Sequence, residues 1–262
     1  MEKIGTNYGG WYVPIEAKLN NNSIIYSGGV GEDISFDLGL IDKYDCNIFL
    51  IDPTKKSKKH FKEYKKYVLN DQNYKFTGNI QPDYYDSIKN YSHNLDKIKY
   101  IDLGIWNKKT FLKFYRQSNN NYVSRSLIPN MFSNKYYKVK VDTLKNIMEK
   151  NNHSHIDLLK LDIEGAEINV LDNMINDHIF PKYLCIEFDL YRNRKDSNNK
   201  TLPLIDRLQK NDYIILKNDD FNITFEHKPK LTQLGGSRKL KSRKLKKFSY
   251  RHNFKTKIHK SK

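Results

Sequence analysis

Ser27-Gly28-Gly29-Val30-Gly31 stands between an apolar run, Ile24 to Tyr26, and a segment from Glu32 to Leu40 that can form a short helix. Glycines at such a junction let the backbone turn sharply and approach a ligand closely, while the helix N-terminus offers free N–H groups. Asp52 follows the next apolar run, Cys46 to Ile51, and lies 21 residues beyond Gly31. An acid at that spacing accepts hydrogen bonds from ribose hydroxyls. Two nucleotide-type cofactors share this geometry. A nicotinamide dinucleotide calls for G-x-G-x-x-G, and Gly29-Val30-Gly31-Glu32-Asp33-Ile34 lacks the third glycine. S-adenosylmethionine needs the same turn and ribose acid but carries a sulfonium and an ammonium in place of a pyrophosphate. Acids beside the turn, Glu32 and Asp33, would then attract rather than repel. A tight strand-to-helix turn with an incidental Asp52 accounts for the same residues, so this motif alone does not choose.

A second run carries more. Ile156-Asp157-Leu158-Leu159-Lys160-Leu161 is apolar but for Asp157 and Lys160, and it ends in Asp162-Ile163-Glu164-Gly165 before a helical stretch, Ala166 to Met174. The elements that must position these residues alternate along the chain. Strand-like runs at Ile24 to Tyr26, Cys46 to Ile51, Ile98 to Ile105, Ile156 to Leu161 and Tyr183 to Phe188 are separated by helical or polar stretches. Lys55 to Leu69 reads as a basic helix whose Phe61, Tyr64 and Val68 form an apolar stripe. Phe111 to Tyr115 reads as a hairpin partner of Ile98 to Ile105. Tyr137 to Val141 leads into a helix, Thr143 to Lys150. A helix, Leu202 to Gln209, and a hairpin of Tyr213 to Leu216 with Asn222 to Glu226 close the series. This alternation argues for an α/β fold with a mostly parallel sheet covered on both faces.

At the second run the sequence resembles the FkbM-type S-adenosylmethionine-dependent methyltransferases, whose hallmark is the stretch from Ile156 to Glu167. The resemblance begins at Tyr8-Gly9-Gly10-Trp11 and Val13-Pro14, and passes through Tyr26-Ser27-Gly28 and Gly31 to Asp37 to reach Asp52-Pro53-Thr54. It continues at Gly104-Ile105-Trp106, Leu112 to Tyr115, Val123-Ser124, Ser126-Leu127 and Ile186-Glu187, covering most of residues 8–227 in order. It implies a Rossmann-like class I methyltransferase fold: a seven-stranded, mostly parallel sheet with an antiparallel last strand, the cofactor lying across the C-terminal strand edges. Ser27, Gly28, Gly29 and Gly31 would then shape the methionine-side loop, and Asp52 would hold the ribose. Glu32 is a candidate for the methionine ammonium, with a plain helix N-terminal acid as the alternative. Many enzymes of this class place an acid just past the third strand to meet adenine. Gly104-Ile105-Trp106 offers none, which leaves backbone groups.

Methyl transfer is an in-line displacement at an activated sulfonium, so alignment supplies most of the barrier reduction, roughly 7–11 kcal/mol against about 3–5 for a positioned base. A hydroxyl acceptor still gains from losing its proton. Asp162, Glu164 and Glu187, with Asp189 nearby, are the candidates, because they fall at the ends of neighbouring strands. Carboxylates converging there repel, which raises one pKa toward a base's range or recruits a cation; a structural role is the third reading. Enzymes that methylate amino or amide nitrogen often carry an Asn/Asp-Pro-Pro-Tyr/Phe turn after strand four. Asp162-Ile163-Glu164-Gly165 stands there instead, favouring an oxygen acceptor, and the resemblance points to hydroxyls of sugars or small metabolites.

Other residues read more plainly. His153 and His155 lack a third ligand at zinc spacing and suit a solvated loop; no metal ligands are assigned. Tyr8 to Pro14 is either an aromatic lid or a packing segment, and Ser124-Arg125-Ser126 is a polar connection that could touch substrate. Cys46 and Cys185 each sit in an apolar run and read as buried free thiols, which fits a reducing, cytoplasmic setting. No run reaches membrane-spanning length.

The chain carries 47 Lys and Arg against 30 Asp and Glu over 262 residues, a net charge of +17. From Lys228 onward there are 14 basic side chains and no acid, so residues 1–227 hold 33 basic against 30 acidic groups. The domain reading is therefore a nearly neutral body, 1–227, and a basic, disordered tail, 228–262. The pairs Arg238-Lys239, Arg243-Lys244 and Lys246-Lys247 suit nucleic acid, an anionic surface or a nuclear localisation signal. Two alternatives to the methyltransferase reading follow: a nucleic-acid-modifying or RNA-binding protein that uses the tail, and a cofactor-binding domain without catalysis.

Overall fold

The structure is a computed structural model that describes residues 1–115, 136–192 and 194–230. Residues 123–127 and the tail beyond 230, on which several of the expectations above fall, lie outside the described residues. Met1–Pro229 form one compact unit.

Its strands are β1 (Glu2–Ile4), β2 (Trp11–Val13), β3 (Ile24–Gly28), β4 (Asn47–Ile51), β5 (Ile98–Ile101), β6 (Gly104–Ile105), β7 (Thr110–Tyr115), β8 (Tyr136–Asp142), β9 (Leu158–Leu161), β10 (Tyr183–Glu187), β11 (Tyr213–Asp219) and β12 (Asn222–His227). The helices that matter for the site are α1 (Ser35–Tyr44), α2 (Lys55–Leu69), α3 (Tyr84–Ile88), α4 (Leu144–Lys150) and α5 (Glu167–Asn176). Seven strands form the main sheet in the order β11-β12-β10-β9-β3-β4-β5. β3, β4, β5, β9 and β10 run parallel, and β12, the last in the chain, enters antiparallel between β10 and β11. This is the seven-stranded, mostly parallel sheet expected from the sequence.

Strand composition explains the layering. β9 is buried along its whole length and β10 along all but its last residue, as a sheet covered on both faces requires. One core, with Ile25, Ile48, Leu50, Leu158 and Cys185, packs under α1 to α3; the other, with Tyr26, Leu159, Leu161, Leu184 and Ile186, packs under α4, α5 and the helix Leu202–Lys210. Phe61 and Tyr64 are buried from α2 and Val68 packs at the edge of the same core, so the apolar stripe of that basic helix faces inward. Cys46 and Cys185 are free and buried, and burial pushes both thiols up to about 12.

Three expectations need correction. Phe111 to Tyr115 does not pair with Ile98 to Ile105: β7 pairs antiparallel with β8, and β6 runs parallel beside β8 in a separate three-stranded sheet. The apolar stretch after Ile98 hides a break, because Asp102 and Leu103 leave the main sheet and Gly104 starts the second. The sheet strand therefore ends at Ile101. The first helix starts at Ser35, with Asp37 as the acid of its first turn, so Glu32 lies outside it.

The second sheet is tied to the body at Asp142. This buried carboxylate accepts from Thr143 N at 3.0 Å and Asn146 Nδ2 at 2.6 Å and pairs with Lys150, which fixes the passage from β8 into α4. Asp142→Ala leaves those donors unmatched. Its expected cost is about 1–3 kcal/mol of unfolding free energy, measured by urea denaturation.

Candidate active site

β3 and β9 lie side by side in parallel, Ser27 opposite Lys160 and Gly28 opposite Leu161. Their ends are fastened by Asp162 N donating to Gly28 O at 3.0 Å, and Gly29 N donates across to Ile51 O at 3.1 Å. Gly29 has φ +74° and Gly31 φ +62°, left-handed values that glycine adopts without strain. A Cβ on Gly29 would run into the Asp162 carbonyl, so this glycine is required by space as well as by conformation. A Cβ on Gly28 would press on the side-chain ends of Ile105 and Leu161.

Asp52 closes the loop from the neighbouring strand. Its Oδ2 accepts from Val30 N at 2.9 Å and Gly31 N at 3.1 Å, and its Oδ1 from Thr54 N at 2.7 Å. Burial raises its pKa and these N–H donors oppose the rise. A carboxylate so held keeps lone pairs for a further hydroxyl donor.

Beneath the turn lies a buried charge the sequence reading did not place. Lys160 is 7% exposed; its ammonium donates to Gly29 O and pairs with Asp162 Oδ2 at 3.6 Å. Asp37, buried on α1, is pushed up to about 6 by burial, with Lys160 and Ser27 holding it down. Ser27 is fully buried within this group. Glu32 is buried with Oε2 at 3.8 Å from Lys56 Nζ, and its Oε1 occupies the space where a Cβ of Gly78 would stand.

The acids of the second motif gather at the edge formed by the ends of β9 and β10. The chain leaves β9 through Asp162 and turns at Glu164, φ +55°, and Gly165, φ +90°, into α5. Burial and then the charges of Asp162 and Asp189 raise Glu187 far above the carboxylate range; Lys160 opposes this and Glu164 adds to it. Asp162, Glu164 and Glu187 are thus brought together, with Asp189. Glu167 joins them unanticipated: it is fully buried at the start of α5, and burial with Asp189 nearby pushes it up to about 8. Among the described residues no group of three or more His, Cys, Asp or Glu is set to hold a metal ion.

The remaining candidates sort by packing. His155 is exposed beside Asp157, at 3.3 Å, as a solvated loop would have it. His153 is not: its Nδ1 lies 2.9 Å from Tyr26 Oη and its ring 4.5 Å from that of Phe49, because the loop folds back on the sheet. In the N-terminal segment Trp11 and Val13 are buried and Tyr8 is 72% exposed, so β2 packs against the body. Asp102, directly after β5, is the acid past the third strand that the sequence reading lacked. It was hidden by placing that strand's end at Ile105, and it pairs with Lys58.

A sheet whose order reverses between β3 and β9, with a glycine turn and clustered acids at that reversal, defines an open α/β fold of the nucleotide-binding type, with its ligand crevice outside the strand carboxyl ends. The chain belongs to the FkbM methyltransferase family: the profile of the Methyltransferase FkbM domain matches residues 3–215. Neither the curated proteins nor the solved structures contain a match to it. No helix among the described residues is long and apolar enough to cross a membrane.

Glu167 gives a measurable consequence. Its pKa is 4.5 in an ordinary setting and about 8 in the fold, so stability is lost as pH climbs between those values and stays lost above them. Glu167→Gln removes the ionisation. It is expected to stabilise the protein by roughly 2–5 kcal/mol at pH 8 and to change little at pH 4, measured by urea denaturation at both.

Proposed function

We propose that this chain is an S-adenosylmethionine-dependent methyltransferase acting on a hydroxyl oxygen of a sugar or small metabolite. The observation that carries the reading is the contact of the glycine turn with the acidic edge: Gly29 lies so close to the Asp162 carbonyl that the crevice floor and the acids form one surface. The residues present suit the cofactor. Gly28, Gly29 and Gly31 give a backbone that a ligand can approach, and Asp52 has acceptor capacity left for the ribose hydroxyls. When bound, the cofactor supplies a methyl group already activated on a sulfonium.

The chain's own task is then alignment and proton removal. Glu187 and Glu167, raised by burial and by neighbouring carboxylates, hold protons at neutral pH. Asp162, partly exposed and paired with the Lys160 ammonium, is the member open to an acceptor. It accepts the hydroxyl proton as the oxygen attacks. The turn Asp162-Ile163-Glu164-Gly165 lacks the two prolines and the aromatic that grip an amino nitrogen, which supports oxygen over nitrogen.

The test is calorimetry with S-adenosylmethionine followed by an acceptor screen with labelled methyl. Wild-type protein is expected to bind the cofactor, and Gly29→Ala to lose at least tenfold in affinity. Asp162→Asn is expected to keep cofactor affinity within about threefold while turnover falls about 10²–10⁴-fold. No binding at millimolar cofactor would reject the reading, and unchanged turnover in a folded Asp162→Asn protein would remove that residue from the mechanism.

A further inference from the structure

A cleft opens where α2 and β8 meet beyond Asp52. It is lined by Lys55 and Lys58 from the start of α2, by Lys138 and Lys140 from β8, and by Asp102. All four lysines are exposed, and among the described residues only Lys58 has an acidic partner, Asp102. Two placements of positive charge here go without a balancing acid among the described residues. The first turn of α2 carries no acid although a helix N-terminus favours one; Lys56, Lys58 and Lys59 there pair with Glu32, Asp102 and Glu63, and Lys55 has no acidic partner among the described residues. On the second sheet Lys138 lies directly opposite Lys113 across the β7–β8 pair, where like charges are destabilising. Lys140 follows on the same face of β8, since side chains two apart on a strand point the same way.

The cofactor does not explain this charge. S-adenosylmethionine carries a sulfonium and an ammonium against one carboxylate, so its net charge is positive, and a lysine-lined cleft repels it. The cleft nevertheless adjoins the crevice, because Pro53 and Thr54, the residues after Asp52, line it too. We propose that the lysine cleft binds a tetrahedral oxyanion, a phosphoryl group or a sulfate ester, carried by the methyl acceptor. Calling the anion part of the acceptor rests on the methyltransferase reading; the anion site itself does not. An oxyanion placed among Lys55, Lys138 and Lys140 accepts from three ammonium groups and also meets the N-terminal end of α2. This narrows the acceptor from any hydroxyl compound to an anionic one, such as a phosphorylated or sulfated sugar.

The test uses the full chain and inorganic pyrophosphate as probe, titrated calorimetrically at low ionic strength. The double variant Lys138→Glu, Lys140→Glu is compared with Lys62→Glu, Lys65→Glu, an equal change of charge at exposed positions elsewhere on α2. The cleft variant is expected to lose at least tenfold in affinity and the control less than twofold. Equal losses in both, or none in the cleft variant, would overturn the proposal. If the charge reversal unfolds the protein, Lys138→Gln with Lys140→Gln gives the same comparison with a smaller expected loss, about threefold, and no loss would again overturn it. Displacement of pyrophosphate by sulfate and by inorganic phosphate at equal concentration is then compared: stronger displacement by sulfate assigns a sulfate ester, and stronger displacement by phosphate assigns a phosphoryl group. A parallel titration with S-adenosylmethionine separates the two claims. Pyrophosphate binding as described without cofactor binding would leave the anion site standing and reject the methyltransferase reading.

Discussion

The architecture of the crevice depends on one buried ammonium. Lys160 stands in a strand whose every residue is buried, where an unpaired charge would cost several kcal/mol. It is satisfied from two sides, by the Gly29 carbonyl and by Asp162, and these belong to the two halves of the site. The parallel register that sets Ser27 opposite Lys160 delivers the ammonium beneath the turn. At the other end of the same strand pair, Asp157 exchanges hydrogen bonds with Ile24, its Oδ2 accepting from Ile24 N and its own N donating to Ile24 O, both at 2.8 Å. The two polar residues of an otherwise apolar run thus hold its two ends.

From that clamp the electrostatics of the edge follow. One buried cation cannot neutralise Asp37, Asp162, Glu164, Glu187 and Glu167 together. The acids furthest from solvent respond by keeping protons, Asp37 up to about 6 and Glu167 up to about 8. Asp162 is the member in contact with both Lys160 and the open edge. Carboxyl groups whose surroundings push their pKa values apart are how acid and base roles separate among residues of a single type. The same logic, with the sign reversed, marks the lysine cleft: charge gathered against its own repulsion signals a missing partner.

Much of this was legible in the sequence. Near-continuous apolar runs such as Cys46 to Ile51 and Tyr183 to Phe188 announce buried parallel strands, and Gly29 announces a turn that admits no side chain. What was not legible shares one cause, that partners distant in sequence decide it. Phe111 to Tyr115 shows strand character, but the choice of β8 over Ile98 to Ile105 is made by a strand more than twenty residues away. Asp102 was masked because Ile98 to Ile105 reads as one run while two sheets divide it. Glu167 looks like an ordinary first-turn acid of a helix; only the closure of α5 over the strand ends buries it. Lys160 was visible as an anomaly, a cation inside an apolar run, and that is the kind of signal worth following.

Lys160 joins the glycine turn to the acidic edge, and Lys160→Met tests that role most directly. Methionine keeps the length and burial of the side chain and removes the charge. The expected result is a folded protein whose affinity for S-adenosylmethionine, measured by calorimetry, falls at least thirtyfold as the turn loses its anchor. A folded Lys160→Met protein that binds the cofactor as tightly as wild type would contradict it.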